Sequence, residues 1–292
     1  MGWGRGLKRG KGKKMRKVYD HLERLVEIPE NPERIVSLVP SITETLFAFG
    51  LEGRIAGRTR YCIAPPEAKE VPVVGGTKDA KAEKILSLRP DLILAEKEET
   101  PRELVERLEK EIPLYVADVE SFEEGIRLIR DLGEITGKRE RAEEILSALE
   151  KEYALFREER EGIWRKVFER GKRGQESLTV AYLIWRKPNM AAGSSTFIDA
   201  MLRQMGLKNV FAGRQRYPVV SEAELQAAKP DLLFLSSEPY PFFPKHREEF
   251  QRMLPDSRIH FVDGAIFSWY GVRMLQAPSY FIRLLSEIVN PL

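Results

Sequence analysis

The residues that could do chemistry gather on loops, and most of them are aromatic or cationic. Trp185, Arg186 and Lys187 follow one apolar run. Glu238, Tyr240, Phe242 and Phe243 follow another, and Phe267, Ser268, Trp269 and Tyr270 a third. Arg58, Arg60 and Tyr61 follow an earlier run, and Arg214, Arg216 and Tyr217 share a loop. Aromatic faces at this density suit stacking on a flat apolar ligand. Guanidinium and ammonium groups suit a phosphate or a carboxylated ring. Catalytic constellations are scarce. There is no Gly-x-Ser-x-Gly, no Gly-x-x-x-x-Gly-Lys-Ser/Thr, and no Gly-x-Gly-x-x-Gly after a strand. The histidines are His21 in the N-terminal region, His246 opening a surface helix and His260 inside a strand. None stands where a base or metal ligand is needed, so no catalytic residue and no resident metal are expected. Cys62, beside Tyr61, has two readings: a ligand to a soft metal centre, or a small buried hydrophobe.

These loops need elements to hold them, and the sequence states those elements twice. Ile85 to Ala95 (ILSLRPDLILA) recurs in outline as Leu225 to Leu235 (LQAAKPDLLFL). Each reads as an amphipathic turn of helix, a cation, Pro-Asp, and a short apolar strand. A helix ends at Gly50-Leu51 and again at Gly206-Leu207, where glycine suits the position just past a helix. A strand ends near Asp118 and another near Asp263. Arg34–Val39 reads as a buried strand, with Ser41 or Thr43 capping the helix through Phe49. Strands alternating with helices predict an α/β fold with parallel, doubly wound sheets in two similar lobes. Ligands of such sheets bind beyond the carboxyl ends of the strands, which selects Pro40, Ser41, Arg60, Tyr61 with its neighbour Cys62, Trp185, Arg186, Tyr217, Tyr240, Phe267 and Trp269 as candidates. Two lobes joined once predict a cleft between them as the binding site.

The predicted organisation has four parts. Residues 1–32 are a basic disordered tail and a short amphipathic segment. Residues 33–136 form an N-terminal lobe, 137–172 one long connecting helix, and 173–292 a C-terminal lobe. Within 137–172, apolar residues from Ala142 to Phe168 recur at three- and four-residue steps. A helix of that length spans on the order of 50 Å at ~1.5 Å per residue, enough to brace both lobes and to limit their motion.

Lys and Arg number 48 against 45 Asp and Glu. Eight of those cations lie in the first seventeen residues, so the body is near neutral and no nucleic-acid partner is expected. After Lys17 the chain is amphipathic and acidic, without the apolar core of an export signal. No apolar run reaches the ~20 residues of a membrane span. One cysteine offers no disulfide and no lipid attachment near the start. A cytoplasmic monomer is expected.

Arg34 to Glu44 (RIVSLVPSITE), the Tyr61…Pro65-Pro66 loop, Glu83 to Asp91 (EKILSLRPD), Gly206…Asn209-Val210-Phe211 and Tyr217-Pro218…Ser221 leading to Pro230-Asp231 together carry a resemblance. The chain resembles class III substrate-binding proteins of ABC importers, and within them the vitamin B12-binding type. The resemblance covers residues 33 to 290. It implies two Rossmann-like lobes bridged by one helix, binding a corrinoid, haem or ferric siderophore without chemistry. Pro40, Tyr61 and Tyr217 fall where those proteins contact the corrin, and Arg273 falls near a ligand-side arginine. Glu83 falls on a carboxylate that docks on the membrane permease. Its second-lobe counterpart is Ala223 by strict count, with Glu222 and Glu224 on either side. A cleft tryptophan of the B12 binders is replaced by Thr77, beside Lys78.

Two other functions fit the fold. Haem or ferric-siderophore binding is favoured by the cations Arg58, Arg60, Lys78, Arg186, Lys187, Arg214 and Arg216, whereas an aromatic lining favours a corrinoid. A tetrapyrrole-modifying enzyme such as a chelatase needs a general base in the cleft, and the histidine positions oppose it.

Overall fold

A computed structural model describes residues 14–170 and 177–289. Most of the expected basic tail, up to residue 13, lies outside the described residues. The chain divides into two compact units. The first takes residues through Asp118 together with Asp131–Glu140, and the second takes Val119–Arg130 and the chain from Arg141 onward.

The first unit opens with a hairpin where the sequence suggested only a tail and an amphipathic segment. Strands β1 (Met15–Tyr19) and β2 (Leu25–Pro29) pair antiparallel, with Tyr19 opposite Leu25. Buried Asp20 makes the turn: its Oδ1 accepts the amides of Leu22 and Arg24, at 2.9 and 3.0 Å, and its Oδ2 binds the Arg24 guanidinium at 2.7 Å. The elements that follow are β3 (Ile35–Ser37), α1 (Pro40–Ala48), β4 (Ile55–Thr59), β5 (Val73–Gly75), α2 (Ala82–Ser87), β6 (Leu92–Glu96), α3 (Arg102–Leu108) and β7 (Leu114–Ala117). The strands form one parallel sheet in the order β5-β4-β3-β6-β7. Its core joins Val36, Leu38, Ile85, Ile93, Leu108 and Val116. Helix α1 starts earlier than expected. Pro40 is its first residue, with Val39 as the extended cap, because proline's fixed φ suits that position and its missing N–H has no helical partner to lose. Ser41 is therefore inside the helix rather than its cap.

Helices α4 (Phe122–Thr136) and α5 (Arg139–Arg170) follow. The first part of α4, to Arg130, belongs with the second unit, and so does α5 from Arg141. The inner face of α5 packs there: Tyr153 on Phe122 (4.5 Å between ring centres), Phe156 on Phe281 (5.8 Å), and Trp164 Nε1–H donating to the Met205 carbonyl at 2.9 Å.

The second unit continues with β8 (Thr179–Trp185), β9 (Met190–Ala191), α6 (Phe197–Gln204), β10 (Lys208–Asn209), α7 (Glu222–Ala228), β11 (Leu232–Ser236), α8 (Pro244–Met253), β12 (Arg258–Val262), α9 (Gly264–Ser268) and α10 (Ala277–Val289). Its sheet order is β10-β8-β11-β12, parallel along that path, with β9 antiparallel to β8. The expected α/β class with parallel sheets is the one the chain adopts.

The sequence echoes are structural echoes. Leu51 N–H donates to Leu46 O and Leu207 N–H to Leu202 O, each at 3.1 Å, around Gly50 and Gly206 with φ of 68° and 79°. Both are the same six-to-one helix ending. The cations before the two Pro-Asp pairs, Arg89 and Lys229, both take positive φ, 49° and 43°. Asp91 accepts the amides of Glu33 and Arg34 just before β3. Asp231 accepts the amide and hydroxyl of Thr179 at the start of β8. Each aspartate fastens the beginning of the neighbouring strand.

Candidate functional site

At the carboxyl edge of the first unit's sheet, Pro40 and Ser41 are buried in the first turn of α1. Arg60 and Tyr61 leave β4. Arg60 pairs with Asp79 at 2.9 Å, and Asp79 also accepts the Gly76 amide. That amide first, and Arg60 second, hold the Asp79 carboxyl below the usual carboxylate range. A Cβ on Gly76 would stand 3.2 Å from the Tyr61 ring and 3.4 Å from Arg60, so these residues form one tight group. Tyr61 is 53% exposed. Lys78 donates to the Glu98 carbonyl, tying the loop after β5 to the loop after β6. Glu96, at the end of β6, is buried and accepts the amides of Glu98 and Glu99 at 2.7 and 2.8 Å. Burial pushes its carboxyl up to about 7 against those two bonds.

Cys62 corrects the ligand expectation. A turn from Thr59 to Cys62 rotates the thiol inward, where it is fully buried and 3.1 Å from Thr59 Oγ1. Burial pushes the thiol pKa up, which opposes metal-binding thiolate. Cys62 is a small core residue.

The second unit's edge is richer. The loop after β11 carries Glu238 and Tyr240. Tyr240 packs edge-on against Trp185 at the end of β8, 5.6 Å between ring centres, and Trp185 is 39% exposed. Behind Tyr240 lies His246, which is buried and not on the surface as expected. The Phe243 amide donates to His246 Nδ1 at 2.8 Å, so the proton sits on Nε2, which faces the Tyr240 hydroxyl at 3.2 Å. Burial pushes this imidazole's pKa down and keeps it neutral.

After α9, Trp269 Nε1–H donates to Glu238 Oε1 at 2.9 Å, and Ser268 Oγ–H donates to the same oxygen at 2.9 Å. The Arg273 guanidinium stands 4.9 Å from the Trp269 ring centre, a cation–π distance. Burial pushes the Glu238 carboxyl up, while Ser268 and Trp269 pull it back. Tyr217 rides a loop pinned to residues 190–194: Ala191 N–H donates to Pro218 O and Gly193 N–H to Arg216 O.

Two candidates in this unit are corrected. Phe267 is fully buried, 5.2 Å from Tyr182 and 5.1 Å from Phe281, because α9 turns it inward. Arg186 is turned onto α8 and α7, pairing with Glu249 at 3.2 Å and Glu222 at 3.4 Å over the Phe250 ring. Other expected ligand cations are likewise engaged. Arg58 is buried and donates to the carbonyls of Ala68, Thr59 and Lys69. Arg214 pairs with Glu224, and Arg216 with Glu120.

The docking candidates separate. Glu83, in the first turn of α2, has a side chain 76% exposed and a loose 3.8 Å contact with Arg107. Glu222 opens α7 and is similarly exposed. Glu224 is committed to a capping box with Ser221 and to Arg214. The sequence reading did not select Glu238, Asp79 or His246. A carboxylate between a strand end and an aromatic loop was the available signal for Glu238, whereas the partners of Asp79 and His246 exist only in the folded chain.

Residues 35–256 match the family described as periplasmic binding protein. The vitamin B12-binding protein of Pectobacterium carotovorum subsp. carotovorum (strain PC1) is 26% identical over 210 residues, covering 71% of this chain and 72% of that protein. The uncharacterized ABC transporter substrate-binding lipoprotein YvrC of Bacillus subtilis (strain 168) is 24% identical over 273 residues, covering 91% and 82%. A solved periplasmic heme-binding protein from Pseudomonas aeruginosa superposes with a TM-score of 0.75 at 21% identity, over 89% of this chain and 95% of that one. The chain therefore belongs to the periplasmic binding protein family, a membership that overturns the cytoplasmic placement expected from its sequence.

Proposed function

We propose that this chain is a non-enzymatic receptor for a corrinoid, cobalamin being the first ligand to test, and that it serves an ABC importer. The observation that carries this reading is the surface of the second unit, where Trp269 is held by Glu238 beneath Arg273 and Trp185 packs on Tyr240. Aromatic planes that are exposed at Trp185 and half-buried at Tyr240 and Trp269 suit a large ring with apolar faces. The engagement of Arg58, Arg60, Lys78, Arg186, Arg214 and Arg216 by groups of the protein leaves the surface suited to an uncharged chelate more than to a polyanionic siderophore. Similarity to a protein named for vitamin B12 supports the same ligand. Tyr61 and Tyr217 are proposed as further contacts, Pro40 and Ser41 being set aside as buried, and Glu83 and Glu222 as the carboxylates that meet the permease.

The test is a titration of the purified protein with cyanocobalamin, aquocobalamin and haemin, followed by calorimetry and visible absorbance. Cobalamin is expected to bind one to one with Kd below about 1 µM, equivalent to about 8 kcal/mol. Haemin uptake with no cobalamin binding discards the corrinoid and keeps the family.

A further inference from the structure

We infer that Glu238 is a positioning residue for ligand binding, setting the plane of Trp269 through the indole N–H and holding it against Arg273. This rests on the reading above. Four observations converge on it. First, one carboxylate oxygen collects both the Trp269 indole and the Ser268 hydroxyl at 2.9 Å, so the α9 terminus and the indole share a single anchor. Second, the anchor itself is fixed from below. Ser236 Oγ donates to the Glu238 carbonyl at 2.7 Å, and Tyr182 donates to Ser236 Oγ at 3.1 Å from the buried sheet. Third, α9 is cleared to let Glu238 in. A Cβ on Gly264 would stand 2.5 Å from Glu238 Cγ and 2.5 Å from Ser236 Oγ. Fourth, both donors on Oε1 are neutral, and the cation of the group, Arg273, acts across the ring face. A half-buried carboxylate is a demanding acceptor for an indole N–H and a hydroxyl, because its charge must be compensated. Trp269 touches both charges, the carboxylate through its N–H at 2.9 Å and the guanidinium 4.9 Å from its ring centre, so the indole plane is held between them. Asp263, which caps α9, adds a repelling charge nearby.

The experiment uses indole-15N-labelled full-length protein, which carries four tryptophans, with Trp269 identified by Trp269→Phe. In the unliganded protein the Trp269 N–H resonance is expected at low field. It moves upfield in Glu238→Ala, moves less in Glu238→Gln, which retains an acceptor, and stays near its wild-type position in Ser268→Ala. Cyanocobalamin affinity is expected to fall about tenfold or more in Glu238→Ala and to recover to within about threefold of wild type in Glu238→Gln, in line with loss of a charge-assisted hydrogen bond. An unmoved indole resonance in Glu238→Ala overturns the inference. So does unchanged affinity alongside a moved resonance. If wild-type protein binds neither cobalamin nor haemin, the ligand reading fails, and the indole resonances still decide whether Glu238 sets Trp269.

Discussion

Individual residues are decided by which way the backbone turns them. Cys62 and Tyr61 are neighbours on one loop, yet the thiol is fully buried and the ring is half exposed. Phe267 and Trp269, two apart, also differ: the first is fully buried and the second half-buried. Sequence alone places all four on loops after strands and cannot orient them, because a single turn such as Thr59 to Cys62 reverses the assignment. Native Cys62 is therefore expected to resist an aromatic disulfide reagent until the protein unfolds, and Cys62→Ser is expected to leave the absorbance of bound cobalamin unchanged. Rapid native labelling, or a shifted spectrum in the variant, would return the thiol to the ligand set. Gly264 makes a sharper case. Adding one methyl forces it within 2.5 Å of Glu238 Cγ and Ser236 Oγ, an overpacked contact that costs about 1–3 kcal/mol. Gly264→Ala is expected to lower Tm and to weaken cobalamin binding together, since the displaced group is the Trp269 anchor.

At the scale of elements, the repeated helix, cation, Pro-Asp and strand was legible because its periodicity and punctuation are local. Its physical meaning was not. Asp91 and Asp231 act on Glu33, Arg34 and Thr179, more than fifty residues away in sequence. The β1–β2 hairpin was missed because its turn depends on Asp20 and a positive φ at Glu23, with no Gly or Asn to announce it. Helix α1 begins at Pro40, ahead of the Ser41 and Thr43 caps that the sequence suggests, because a proline after a strand fits a turn and a first helical residue equally well by local pattern. The shared positive φ of Arg89 and Lys229 predicts that Lys229→Gly is neutral or stabilising by up to about 1 kcal/mol. Lys229→Val, with its branched Cβ, is expected to destabilise in the same urea titrations. Glu96 gives the loop after β6 a pH dependence. Its folded pKa of about 7 lies above the ordinary 4.5, so the folded state binds the extra proton between those values. Stability from this group is then full below pH 4.5 and falls as pH rises to 7, by on the order of 3 kcal/mol at most. The difference in stability between wild type and Glu96→Gln should shrink through that window and level off above it. A difference that grows with pH would reverse the assignment.

For the whole molecule, the decisive quantity is where charge has been spent. The chain is nearly neutral in sum, at +3, and the loop cations Arg58, Arg60, Lys78, Arg186, Arg214 and Arg216 are bound to its own carbonyls and carboxylates. Sequence reading counted those cations as available to a ligand, because their partners, such as Glu249 for Arg186 or Glu120 for Arg216, come from other elements. A receptor arranged in this way should take an uncharged ligand through apolar faces, and binding should couple to folding by mass action. At a cobalamin concentration one hundred times Kd, the native state gains about 2.7 kcal/mol. For a chain of 292 residues that is an upward shift in Tm of about 4 °C. Because long-range charge attraction contributes little, the shift should persist from 50 to 500 mM salt, across which Debye screening tightens from about 14 to about 4 Å. Trp269→Ala should lose most of the shift. The double variant Glu83→Ala/Glu222→Ala should keep it whole, since both side chains are largely exposed and are proposed for the permease and not the ligand. A shift that collapses with salt would mean that charge drives binding and would move the ligand toward an anionic chelate. A shift lost in the double variant would place those carboxylates in the ligand site.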